Sequence, residues 1–326
     1  MKSILPLFPA AKRYSSLLAA LLVFFALGLF CPLHGAESQT RRHVRLYLTT
    51  STLTAAPEVI VEWPGTGAGM PLVRIPAGEF EMGSQRGDPD ELPIHTVRLD
   101  AFWIGKYEVT AREYALFLNS IKRDRTPEHL YVDAHNPESL FQCTLGWFSP
   151  RRGFEDFPAA GITWHGAKAF CDWLARETQL PFALPTEAQW ERAAHGDENA
   201  NDRIFPWGVR LTPDHCRYKS NQPTRVGSYP LGVSPFGAHD MAGNVAEWVN
   251  DWYDENYYEH GPRDNPEGPT TGTLKILRGG DWTCAMVSIP RLRAADRNPM
   301  PPESPLIVQG FRVALNRKEA PGHPMK

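Results

Sequence analysis

An α+β domain of short elements joined by long ordered loops is the fold class that this 326-residue sequence predicts. Three observations carry it. Glycine (26) and proline (30) are abundant and dispersed, which favours many turns over long regular segments. Ten tryptophans supply large apolar anchors for a core built from irregular pieces. Helical periodicity stops near Ala194, and the remainder is Gly, Pro and aromatic punctuation with short strand-like runs.

The elements follow in chain order. Residues 1–36 read as a secretory signal. Lys2, Lys12 and Arg13 form its basic front, and residues 17–30 are apolar but too short to favour a bilayer span. Gly35 and Ala36 precede polar Glu37, so cleavage is expected after Ala36. Bulky Phe30 argues against lipid attachment at Cys31. Losing the three basic residues takes the formal charge from −3 to −6. The mature chain is therefore expected to be mildly acidic, secreted or periplasmic, with no membrane span. Its basic residues are scattered, without a Lys/Arg stripe among aromatics, so nucleic acid is not an expected partner.

Residues 37–69 read as a leader and linker, with a strand at 44–48 and a linker at 64–69. The main domain is expected over 70–317 and a tail over 318–326. Residues 72–83 read as two short strands around Pro76-Ala77-Gly78, and 95–104 as one more. Thr110 caps a first helix and Glu113 completes a capping box. Tyr114, Phe117, Leu118 and Ile121 then fall on one face. Thr163 caps a second helix, whose apolar face holds Ala167, Phe170, Cys171 and Leu174, so Cys171 is assigned to the core. A third starts at Pro185-Thr186, with Gln189 closing its box.

Four cysteines remain after cleavage: Cys143, Cys171, Cys216 and Cys284. In an oxidising compartment they allow three disulfide pairings, and no CxxC points to zinc or a thioredoxin-like motif. The histidines are dispersed; His195 and His239 have no histidine or cysteine three or four residues further on. Gly227-Ser228 does not sit in a G-x-S-x-G elbow.

The order of short motifs resembles the formylglycine-generating enzyme family, also called sulfatase-modifying factors. The matching pieces are Ile75-Pro76-Ala77-Gly78-Glu79-Phe80-Glu81-Met82-Gly83, Tyr107-Glu108-Val109-Thr110, Leu184-Pro185-Thr186-Glu187-Ala188-Gln189-Trp190-Glu191, Phe205-Pro206-Trp207-Gly208, Val226-Gly227-Ser228, Asp240-Met241-Ala242-Gly243-Asn244-Val245-Ala246-Glu247-Trp248, Arg278-Gly279-Gly280 and Gly310-Phe311-Arg312. The resemblance implies an irregular, C-type-lectin-related α+β fold. It also implies an oxidase that converts a cysteine of a client sulfatase to formylglycine, using molecular oxygen and Cu(I) held between two cysteine thiolates. Soft Cu(I) tolerates two-coordinate sulfur. By residue match, the first of those cysteines is Cys284 and the second falls on Ile289, which cannot ligate copper. Asp281 replaces the usual serine after Gly-Gly. Arg291, Arg293 and Arg297 match, and serve equally well as structural partners for carboxylates.

Cys284 then has three readings: a packed relic, half of a disulfide, or one ligand of a rearranged copper site completed by Cys143 from the loop-like stretch 141–147. The resemblance also implies a calcium site. Its ligands would be the carboxylates of Asp240 and Glu247 and the carbonyls of Gly243 and Val245, all hard oxygen donors. The alternative is that Asp240 and Glu247 cap turns or hold arginines. A second calcium site near 216–228 lacks the acids. The expected function is an exported family member without the standard copper site. It would act as a binding or accessory module for an exported protein or peptide client, a sulfatase among them, or a glycan. The alternative is a copper-dependent oxidase using Cys284 and Cys143.

Overall fold

The computed structural model describes residues 45–50, 57–63, 66, 68–197, 202–285 and 290–316. The signal segment and the tail lie outside the described residues. In chain order the strands are β1 (Arg45–Thr50), β2 (Pro57–Trp63), β3 (Ala68–Ile75), β4 (Gly78–Met82), β5 (His95–Leu99), β6 (Phe102–Gly105), β7 (Phe141–Thr144), β8 (Trp147–Pro150), β9 (Phe182–Ala183), β10 (Ala246–Trp252), β11 (Lys275–Arg278), β12 (Asn298–Met300), β13 (Gln309–Gly310) and β14 (Ala314–Leu315). The helices are α1 (Ala111–Ile121), α2 (Trp164–Thr178), α3 (Glu187–His195) and the single turn α4 (Tyr257–His260). None of the described helices is long and apolar enough to cross a membrane.

The three predicted helices start where their caps stand. Thr110 Oγ1 accepts from Glu113 N at 3.3 Å, and Glu113 returns a carboxylate to Thr110 N at 2.8 Å. Thr163 accepts from Gly166 N at 3.1 Å, and Thr186 and Gln189 form the third, reciprocal cap. Each such cap is worth about 1 kcal/mol. Gly166 is required by packing, since a Cβ there would come within 2.5 Å of the Tyr131 carbonyl oxygen.

A six-stranded sheet runs β1-β2-β3-β6-β14-β9, and a four-stranded sheet runs β12-β11-β10-β13. β4–β5 and β7–β8 are separate hairpins. One core joins the larger sheet to α1 and α2 through Leu72, Phe117, Phe170, Trp173 and Phe311. A second, around Ile75, Phe80, Val97, Trp190 and Met241, includes the buried face of α3. Burial of each such side chain contributes about 1.5–3 kcal/mol.

Two sequence readings change. The run 95–104 is two strands in different sheets: β5 pairs with β4, whereas β6 pairs with β3 and β14. Part of the segment taken as a leader joins the larger sheet: β2 pairs with β3 from Glu58 to Trp63, and Val59, Val61 and Trp63 are buried. Trp63 stacks on Trp173 of α2 with centroids 6.1 Å apart. Ala68 and Gly69 open β3 instead of ending a linker, because they pair with Trp63 and Glu62 across a tight turn.

Candidate functional site

The loop after β11 is shaped by two glycines. Gly279 and Gly280 have φ of +84° and +64°, and a Cβ on Gly280 would come within 2.7 Å of the Arg291 carbonyl oxygen. Asp281 then turns its carboxylate onto its own loop, accepting from Thr283 N (2.7 Å) and Thr283 Oγ1 (2.6 Å). The loop is laced to two neighbours: Trp282 N donates to Asn244 O at 2.9 Å, Ser220 N to Trp282 O at 2.8 Å and Lys219 N to Cys284 O at 2.9 Å. Cys284 is 3 % exposed and packs with Phe205 and Leu292. Residues 286–289, Ile289 among them, lie outside the described residues.

Beside this loop runs the segment from Asp240 to Glu247. Asp240 and Asn244 adopt left-handed φ of +57° and +60°. Asp240 accepts from Gly227 N at 2.6 Å. Asn244 accepts from Thr224 N at 2.9 Å and donates to Glu108 at 2.8 Å, and Val245 N also reaches Glu108. Glu247 is fully engaged. Arg312 binds both of its oxygens at 2.6 and 2.7 Å, and Trp190 Nε1 donates to one at 2.8 Å. Arg312 further donates to Gly105 O and His239 O. Glu108, Asp240 and Glu247 are thus three buried carboxyls around one guanidinium. Burial, and then the neighbouring Asp240 and Glu247 charges, push the Glu108 carboxyl well above its ordinary range. Burial likewise pushes Asp240 up to about 6.

A second polar cluster lies under α3. Arg278 donates to Glu187 at 2.9 Å and to Glu191 at 2.6 Å, and Arg297 grips both oxygens of Glu187 at 2.8 and 3.1 Å. Arg293 pairs with Glu91. Burial acts to raise the Glu191 carboxyl, but Arg278 and then His195 hold it down to about 2. His195 therefore has a partner one turn back, with Nε2 at 3.3 Å from Glu191 Oε1.

Residues 64–317 match the family described as "Sulfatase-modifying factor enzyme 1-like domain". The chain belongs to this family. It is 34 % identical over 247 residues to "Serine/threonine-protein kinase pkn1" of Chlamydia pneumoniae, covering 75 % of this chain but only 38 % of the kinase. It is 31 % identical over 284 residues to "Formylglycine-generating enzyme" of Streptomyces coelicolor, covering 74 % of this chain and 88 % of the relative. Among solved structures, PvdO from Pseudomonas aeruginosa superposes with a TM-score of 0.60 at 28 % identity, over 75 % of this chain and 94 % of PvdO.

In this member of the sulfatase-modifying factor family the described thiols are dispersed. Cys143 stands half-buried on β7 and packs on the core of α1 and α2, whereas Cys284 belongs to the Phe205–Leu292 cluster. The structure does not bring this predicted copper pair into one cluster. The thiol close enough to interact with Cys284 is Cys216, and burial, followed by Asp240 and Cys284, pushes it up to about 12. Cys171 is in the core as its helix face predicts, also protonated through burial. A two-thiolate copper site needs both sulfurs within reach of one ion, and Cys143 and Cys284 stand in different clusters.

At the predicted calcium ligands, Arg312 engages both oxygens of Glu247 on β10, and Asp240 accepts from Gly227 N on the preceding loop. Two of the three matching arginines sit in ion pairs: Arg293 with Glu91 and Arg297 with Glu187.

Glu108 is the site residue that sequence reasoning missed. It lies in the quoted Tyr107-Glu108-Val109-Thr110 piece, and the one available signal was an acid preceding an apolar residue and a helix cap. Next to the Cys284 loop a pocket of about 250 Å³ opens between Leu140, Phe154, Asn221, Gln222 and Trp282.

Proposed function

We propose that this chain is an exported member of its family that binds a protein or peptide client and does not make formylglycine by the two-cysteine copper route. One observation carries the proposal. The residue that should supply the second thiolate is Ile289, and Cys284 is buried in a different cluster from Cys143. A single sulfur cannot hold Cu(I) in the two-coordinate manner. The pocket at Trp282 supports the binding half of the reading, because it combines an indole wall with amide side chains that can hold a peptide. The kinase relatives, of whose length the chain spans 38 %, support a use of this domain outside the free-standing oxidase. Fold and chemistry are separable in this way.

The test is to load the reduced protein with Cu(I), offer a cysteine peptide of sulfatase type in air, and follow aldehyde formation beside the Streptomyces coelicolor relative. The expected result is peptide binding without aldehyde above the uncatalysed level. Turnover at a rate comparable with the relative overturns the proposal, and so does a failure to bind the peptide or a folded protein carrying it.

A further inference from the structure

We propose that the tip of the β7–β8 hairpin docks the protein onto a bilayer bearing anionic lipid, with Leu145 and Trp147 entering the interface. The two strands are joined by only Leu145-Gly146, with Thr144 facing Trp147. Both loop residues have left-handed φ, +52° and +80°. Such a two-residue turn favours Asn, Asp or Gly at its first position, and a leucine there is strained. Packing does not compensate the strain, since Leu145 is fully exposed and Trp147 is 65 % exposed. The other large exposed apolar side chains described, such as Leu92, Val209 and Leu231, stand singly in the sequence. A strained, solvated leucine two residues from a solvated tryptophan is the signature of a surface kept for contact.

The stem presents this tip rigidly. Asn119 of α1 accepts from Phe148 N at 2.9 Å and donates to Phe148 O at 2.7 Å, and Phe141 and Phe148 are buried. The chain then returns along α1, with Arg112 N bonded to Glu155 O and Ala111 N to Phe157 O. The tip therefore projects past the C-terminal end of α1, where Lys122 and Arg123 are exposed. Two carboxylates of this strip are paired. Asp124 pairs with Arg125, and Asp156 pairs with Arg112 at the far end of the helix. Tryptophan favours the headgroup boundary, an aliphatic side chain favours the acyl region just below, and flanking cations favour anionic headgroups. A purely apolar protein partner would have no use for the two cations. Charge complementarity therefore selects the anionic bilayer.

The test uses the full chain in co-sedimentation with vesicles of phosphatidylcholine alone or mixed with phosphatidylglycerol, at low and high salt. The expected result is binding at least ~10-fold tighter to the mixed vesicles, weakening with salt. Leu145→Asn with Trp147→Ser should lower that affinity ~10-fold or more. Its melting midpoint should hold or rise, because asparagine suits the turn. Lys122→Glu with Arg123→Glu should remove the preference for anionic lipid. Brominated lipid should quench a fluorescence component that Trp147→Ser lacks. The proposal is overturned if the tip variant binds vesicles as well as the parent, which would assign binding to another segment such as residues 17–30. Absence of vesicle binding overturns it too, as does a concentration-dependent dimer that the tip variant abolishes, which would make a second copy the occupant.

Discussion

Two buried clusters of arginine and carboxylate stand on either side of Trp190, built from the same residue types and paired differently. Under α3, Arg278 and Arg297 pair directly with Glu187 and Glu191, while Asp251 beside Glu187 and Asp296 near Arg278 are raised by burial to about 7 and about 6. Around Arg312, one guanidinium faces Glu108, Asp240 and Glu247. The carboxyls respond in opposite directions: Glu191 is held down to about 2, and Asp240 is pushed up to about 6. The cluster under α3 behaves as a clamp between α3, β11 and the segment after Pro290. The one around Arg312 holds more acid than its arginine can neutralise, and it lies at the loop where the resemblance places chemistry. Direct pairing with a guanidinium, not residue type, separates the carboxyl held down from those pushed up here.

Breaking the cluster under α3 should have the largest effect. Arg278→Leu strands Glu191 in a dry interior with only His195 and the Gly83 N–H beside it, and removing one partner of a buried pair typically costs about 3–5 kcal/mol. The expected outcome is a urea midpoint lowered to match, with Arg278→Lys recovering only part, because lysine cannot reach two carboxylates in a fork. A loss below about 1 kcal/mol would mean that the two clusters are energetically alike and the contrast is empty.

The cluster around Arg312 should reveal itself through pH. A carboxyl raised on folding binds its proton more tightly in the native state. Asp240 therefore favours folding below its ordinary value of 3.8, and that contribution is lost as pH rises to about 6. Glu191 works in reverse: its contribution is present above 4.5 and is lost as pH falls towards 2. Asp240→Asn keeps an oxygen for Gly227 N and tolerates the left-handed backbone. It should stabilise the protein at pH 7 by on the order of 1–3 kcal/mol and leave it unchanged near pH 3. Denaturation midpoints across pH 3–7 measure this, and parallel profiles for parent and variant would contradict it.

Much of the scaffold was legible because its signals are local. A capping box spans three residues, so Thr110 with Glu113 and Thr186 with Gln189 announce their helices without knowledge of the rest of the fold. The candidate site was legible only in part, because its partners are remote in sequence. Glu108 meets Asn244 across 136 residues, and Glu91 meets Arg293 across 202. Nothing local in Asp240-Met241-Ala242-Gly243 says that Glu247 will be taken by Arg312. The same distance hid Cys216 as the neighbour of Cys284, while the turn-like stretch around Cys143 looked accessible from sequence and packs on a different core. The break between β5 and β6 was missed for a related reason: both halves read as strand, and the choice of partner strand separates them.

The smallest expected effect is also the sharpest probe of the cluster around Arg312. A calcium ion at residues 240–247 would need Glu247 as an ionised oxygen donor. In this fold that carboxylate is committed to Arg312 and Trp190, and a fixed guanidinium repels a second cation at the same place. A native-state ligand present at about 100 times its Kd adds about 2.7 kcal/mol, which would move the melting midpoint of a domain this size by roughly 5–10 °C. Melting with calcium and with chelator should therefore coincide to within about 1 °C, a tolerance well below that shift. A rise of several degrees would mean that Arg312 yields to the ion. The complementary variant is Arg312→Gln, which leaves Glu108, Asp240 and Glu247 facing one another without a cation. It should be less stable in chelator and should recover stability on adding calcium, because the ion then supplies the charge that the arginine supplied.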